Sequence, residues 1–201
     1  MIVCYNLKIT TGRRAAVIKA MPGTTIEMDV EEWKNADDMF EHMFLSGGLV
    51  LSQVARLAGL APYDVQNWVR RGFVSPPHHK RYTRRQLSRI LIINMLRGTL
   101  QIDRICSLLS YINGSLADES DDSIDDTRLY IYLVHLCADV ELGNSIDIPG
   151  TLSDYTEPFP GALSRVTRVI EIMVTAYQSA SLKQKAEDMI LDLDFNEEAE
   201  K

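Results

Sequence analysis

The chain has 201 residues, 46% of them hydrophobic, and a formal net charge of −7. That length and apolar content suffice to bury a sizeable core, which excludes a disordered polar chain, and the acidic balance excludes a general polyanion binder. No apolar run reaches membrane-spanning length and the N-terminus lacks the basic-then-apolar pattern of a secretory signal, so a cytoplasmic protein with no membrane partner is expected.

In chain order, Val3, Tyr5, Leu7 and Ile9 alternate ahead of a Thr11-Gly12 turn, and a second apolar run follows around Val17 and Ile18. A β-hairpin is expected there. Asp29, with Glu32 three residues on, signals the start of a helix that reaches Leu45, turns Trp33, Met39, Phe40 and Met43 inward and ends at Gly47-Gly48. Residues 1–47 are thus read as a unit packing on a head that begins at residue 48.

Ser52 is positioned as an N-cap, and Val54, Leu57 and Ala58 give the next helix one apolar face. Gly59 ends that helix cheaply in the left-handed region, and Pro62 opens another, where its missing N–H costs nothing. In this second helix Val65, Trp68 and Val69 face inward, leaving Tyr63, Asp64, Gln66, Asn67, Arg70 and Arg71 outward. The pattern is that of a helix-turn-helix. Such a motif lays its second helix in the major groove, where Gln and Asn pair with adenine and Arg holds phosphate or guanine.

Beyond Gly72, Phe73 and Val74 are apolar and extended, Pro76 and Pro77 interrupt, and His78, His79, Lys80 and Arg81 form a basic tip ahead of Tyr82. Two short antiparallel strands carrying that tip would make a wing, setting cations beside the sugar-phosphate backbone. The rings of His78 and His79 are expected on opposite sides of an extended strand, which argues against joint chelation. Thr83 and Gln86 form a capping box for a helix that Gly98 ends. Leu87, Ile90, Leu91 and Asn94 incline inward, while Arg84, Arg85 and Arg89 are expected on the exposed side as phosphate contacts. A further helix starts at Thr99 and carries Ile102, Ile105, Leu108 and Leu109 as its stripe.

Taken together, these residues resemble the MerR family of winged helix-turn-helix regulators. The shared pattern is SQVARLAGL from Ser52 to Leu60, the segment from Trp68 through Gly72, Phe73 and Val74, the Arg81-Tyr82 pair closing the wing, and LQIDRICSLL from Leu100 to Leu109. The layout is most similar to bacterial proteins with a MerR-like head and a short helical tail. The resemblance implies a DNA-binding transcriptional regulator that acts as a homodimer on an inverted repeat in double-stranded DNA. Gln66 and Asn67 stand where many members carry Arg and Tyr, so base preference does not transfer.

Charge divides the chain in the same way. Leu49 to Arg104 holds ten basic residues against two acidic ones, a balance of +8 that leaves −15 for the remainder of a chain at −7. Such a module attracts phosphate locally while the acidic remainder repels it and biases orientation.

The acidic segment 116–126 lacks the central glycine and terminal glutamate of an EF-hand, and is expected as a solvated linker between a head at 48–115 and a tail at 127–201. Ser123 and Asp126 are placed to cap the next helix. That helix, Asp126 to Leu142, is apolar on most sides and must be covered all round, for which subunit contact is an economical means. The loop from Gly143 to Gly161 holds three of the seven prolines and is expected to be non-helical, with helices around Leu163 to Tyr177 and Leu182 to Leu193.

Cys4, Cys106 and Cys137 lie far apart in apolar contexts, so buried free thiols are expected, with no metal and no cofactor; His135 reads as a core residue. No nucleophile elbow, phosphate loop, metalloprotease helix or carboxylate pair points to an enzyme. The expected protein is mostly α, with a winged helix-turn-helix and small β wing. Tyr63, Gln66 and Asn67 would read bases, Arg70, Arg71, His79, Lys80, Arg81, Arg84 and Arg85 would hold phosphates, and Trp68 and Tyr82 would position helix and wing. The alternative is a protein-interaction module that keeps the winged fold and turns its basic face to an acidic partner; a third reading makes the tail a sensor, its apolar helix and proline-bearing loop enclosing a small-molecule effector, which no residue pattern indicates.

Overall fold

The computed structural model describes residues 16–45, 47–114, 116 and 120–199. The alternating run from Val3 to Ile9 and the Thr11-Gly12 turn lie outside the described residues. Ile18 instead belongs to a hairpin further along the chain, in which β1 (Ile18–Ala20) pairs antiparallel with β2 (Glu27–Asp29), Ile18 opposite Asp29. Between the strands Gly23 adopts φ +74 so close to Leu91 that an added Cβ would lie 2.3 Å from its carbonyl oxygen.

Asp29 is the expected cap, accepting from Glu31 N at 3.2 Å. The helix it opens comes in two pieces, a 3-10 helix over Val30–Asn35 and α1 over Ala36–Phe44. The tighter winding of the first piece places residues three apart on one side, so Val30 and Trp33 both enter the core, where Phe40 joins them from α1.

β3 (Leu49–Val50) leads directly into α2 (Leu51–Ala58). The N-cap is Val50, not Ser52, because the strand holds Val50 extended up to the first helical residue; Val50 N donates to Gln53 Oε1 at 3.0 Å. Gly59 ends α2 in the left-handed region, and α3 (Pro62–Arg70) starts on its proline. β4 (Arg81–Tyr82) then pairs with β3, Leu49 opposite Tyr82. The wing therefore takes its partner strand from the residues before α2 and not from Phe73 and Val74. Those two neighbours are both buried, a demand that an alternating strand with one solvent face cannot meet.

α4 (Arg84–Leu96) opens with the expected box, Gln86 N donating to Thr83 Oγ1 and Thr83 N to Gln86 Oε1 at 3.2 and 2.8 Å. α5 (Ile102–Asn113) begins after Gln101, since the Thr99 hydroxyl donates back to the Leu96 carbonyl at 3.1 Å and closes α4 instead. α6 (Asp126–Leu142) is capped by Asp125, which accepts from Thr127 N at 2.7 Å.

α6 is the centre of the molecule, packed by α4, the 3-10 helix, α1, α7 (Ile148–Thr151) and α8 (Ala162–Ala199). Its all-round apolar surface is thus covered within one chain, and subunit contact is not needed for that purpose. One continuous hydrophobic cluster runs from Met21 to Ala176, on both sides of residues 116–126. α7 is a single turn inside the proline-bearing loop, where Asp147 accepts from Gly150 N at 2.9 Å. The two expected C-terminal helices are one, because Gln178, Ser179, Ala180 and Ser181 include neither Gly nor Pro to break it. Among the described residues the protein is mostly helical with two small two-stranded sheets, and no helix is long and apolar enough to cross a membrane.

Candidate nucleic-acid interface

α3 buries Val65 and Trp68 and keeps its other side free. Tyr63 is 66% exposed, Gln66 and Arg70 are exposed, and half-buried Asn67 accepts from Arg70 Nη2 at 3.3 Å. The Arg70 guanidinium also lies 5.9 Å from the Tyr63 ring centroid, so Tyr63, Asn67 and Arg70 form one cluster. Arg71, just past the helix, sits 4.3 Å over the Phe73 ring and 3.4 Å from Asp103 Oδ1 in an exposed pair. A pair of that kind contributes little and leaves the guanidinium available.

The wing tip is a two-residue turn. His79 and Lys80 adopt φ 47 and 62, His78 and Arg81 bridge across it, and Arg81 N donates to the His78 carbonyl at 2.9 Å. Left-handed residues at both central positions match the twist of a tight hairpin. The turn brings the His78 and His79 rings edge-on with centroids 4.0 Å apart, where an extended strand would have separated them. Arg81 folds back, its Nη1 donating to the Gly47 and Gly48 carbonyls at 3.1 and 2.8 Å. Tyr82 is buried beneath the wing, and burial raises its phenol pKa.

Helix and wing meet at a cleft of about 400 Å³ lined by Leu51, Gln66, Val69, Pro77, Lys80 and Tyr82. Leu51, Val69 and Pro77 escaped sequence reasoning as site residues, since their joint surface forms only when β4 docks on β3.

The arginines of α4 are placed differently from expectation. Arg84 pairs with Asp37, and Arg85 pairs with Asp122 and lies 3.9 Å from both Asp125 and Asp126. Arg89, expected on the exposed side, is buried: its Nη1 donates to Asp126 Oδ2 at 3.1 Å and its Nε to the Phe73 carbonyl at 2.8 Å. The cause is α6, which packs on that side of α4 and brings the acidic segment with it. Residues 122–126 are accordingly docked and not a solvated linker; Ser123, Ile124 and Asp126 are buried. Asn113 Nδ2 donates to Asp126 Oδ1 at 3.0 Å. Burial lifts the Asp126 carboxyl above the usual carboxylate range, with the Arg89 charge and hydrogen bond pulling the other way. Cys106 is half-buried and Cys137 buried, both free, and no metal-ligating cluster occurs among the described residues.

Residues 49–133 match DUF1836, a domain of unknown function. The DUF1836 match opens at β3 and closes inside α6, so it takes in the helix pair, the wing and the Arg89–Asp126 pair. It also crosses residues 116–126, in keeping with α6 and α4 sharing one core. No curated protein and no solved structure matches the chain.

Proposed function

We propose that the chain is a DNA-binding transcriptional regulator of MerR-like winged helix-turn-helix type, acting in the cytoplasm as a homodimer on an inverted repeat. The observation that carries this reading is the shared cleft: Gln66 of α3 and Lys80 of the wing tip line one depression, with exposed Tyr63 and Arg70 on the same helix. In a major groove, Tyr63, Gln66 and Asn67 would face base edges, and Arg70, Arg71, His79 and Lys80 would reach phosphates on either side. Arg81 and Tyr82 would act by holding the wing. Arg84 and Arg85 already hold carboxylates and join the phosphate contacts only where those partners are displaced. Selection of preferred sites from a pool of random duplexes tests the reading. An inverted repeat is the expected product, and a pool with no enrichment would sink it.

The second reading, an interaction module for an acidic protein, is favoured by one observation: the α4 arginines already pair with carboxylates from distant parts of the chain. Both readings are electrostatic, so salt sensitivity does not separate them. Preference for one duplex over a scrambled competitor does.

A further inference from the structure

The cleft between α3 and the wing has a chemistry that phosphate contact alone does not explain. Four of its six lining residues, Leu51, Val69, Pro77 and Tyr82, are apolar or aromatic, and only Gln66 and Lys80 carry polar ends. The wall is assembled from separate elements: Leu51 opens α2, Val69 lies in α3, Tyr82 ends β4, and Pro77 precedes the wing turn. Leu51, Val69 and Pro77 are each only half-buried, although Leu51 and Val69 also pack against the core. An anion set against such a wall would lose water and gain no hydrogen bond from it.

In the major groove the base edges present donors and acceptors, and the C5-methyl of thymine is the apolar group among them. An apolar wall turned to that groove therefore distinguishes thymine from the other bases. The two polar residues of the cleft suit the groups that flank such a methyl. Gln66 is exposed and stands three residues from Val69, on the same side of α3, and an amide of this kind bonds N6 and N7 of adenine. The neighbouring amide, Asn67, already accepts from Arg70 Nη2 at 3.3 Å. Lys80, exposed at the wing turn, supplies a cation for the phosphate beside the base.

We propose that this cleft receives the C5-methyl of a thymine, with Gln66 on an adjacent adenine and Lys80 on the neighbouring phosphate. Leu51, Val69, Pro77 and Tyr82 are then a specificity-determining wall, and A·T pairs are what the site selects. This rests on the DNA-binding function proposed above and deepens it, and its test changes only a methyl group on the DNA, so that its failure and a failure of DNA binding are told apart.

The test is titration of the full chain against two labelled duplexes of equal length, one alternating adenine and thymine, the other identical except that deoxyuridine replaces every thymidine. The replacement removes the C5-methyl and leaves every hydrogen-bonding group of the base in place. The thymidine duplex is expected to bind more tightly by about fourfold for each cleft engaged, the worth of one buried methyl-sized group. Val69→Ser is expected to bring the two affinities together while leaving that for the deoxyuridine duplex unchanged, with circular dichroism and thermal melting to verify the fold. Pro77→Ser, in the loop ahead of the wing turn, replaces it if Val69→Ser does not fold. Equal binding of both duplexes by the wild type would overturn the proposal and leave the DNA-binding reading in place. A preference that survives the substitution would put the methyl elsewhere and overturn it too, and binding to neither duplex at low salt would overturn both readings.

Discussion

Arg89 and Asp126 form a buried ion pair at 3.1 Å, and the same guanidinium holds the Phe73 carbonyl at 2.8 Å. One side chain thus ties the turn that ends α3 to the first residue of α6, and through it the outward face of α3 to the centre of the core. Breaking a buried pair from one side leaves an uncompensated charge. Arg89→Leu is expected to destabilise the chain by about 3–5 kcal/mol in urea unfolding, and Asp126→Ala by a similar amount. A loss under about 1 kcal/mol for both would show that the pair is not closed in solution.

Gly23 offers a sharper steric test. Its φ of +74 favours glycine, and a Cβ would lie 2.3 Å from the Leu91 carbonyl oxygen, a backbone atom that cannot swing aside. Gly23→Ala is expected to cost about 2–5 kcal/mol, from left-handed strain plus overpacking. Gly47 has φ +73 and nothing within 4 Å, so Gly47→Ala should cost only the strain, about 1 kcal/mol. Thermal melts of the two variants side by side give the comparison.

His135 sets an acid-side dependence. Burial lowers its pKa below the ordinary 6.5, Lys34 and Arg128 adding to the effect against a backbone hydrogen bond at Lys34 and the charge of Asp37. The unfolded chain therefore binds the proton more readily than the folded one. The corresponding stability is fully present above pH 6.5 and is lost as pH falls through the lowered folded value. His135→Gln should flatten that part of the profile, so the difference between variant and wild-type unfolding free energy should change with pH only below that range. Parallel profiles would remove His135 as the source.

The α3 and α4 arginines should behave differently on DNA. Arg70→Ala and Lys80→Ala each remove an exposed cation beside the cleft and are expected to weaken binding to all duplexes alike, lowering the salt slope by about one. Gln66→Ala is expected to change sequence preference with the slope intact. Arg84→Ala, whose guanidinium is held by Asp37, should leave the slope unchanged. Anisotropy titrations of the four variants across salt separate these roles, and an Arg84→Ala loss equal to that of Arg70→Ala would place α4 on the DNA.

The helix pair was legible because its signals are local. Gly59 and Pro62 announce their own geometry, and Val65, Trp68 and Val69 repeat at helical spacing. The wing was legible only in part: the basic tip is a composition signal, but β3 is two residues long and pairs with a strand some thirty residues away. The apolar surface of α6 could be read, but not what covers it, since that depends on how distant helices pack. Arg84, Arg85 and Arg89 show the same limit from the charge side. Periodicity and a basic run put them toward solvent, while the carboxylates that claim them come from residues 37 and 122–126, brought close only by the core.

In the proposed function, the face formed by α3 and the wing holds DNA. Fluorescence anisotropy of the purified full chain on labelled duplex across a salt series tests it most directly. The expected result is micromolar or tighter binding whose logarithm falls linearly with log salt, by roughly six to ten phosphates' worth, and is weakened by Arg70→Ala and Lys80→Ala. No binding at low salt, or binding untouched by both substitutions, would contradict it.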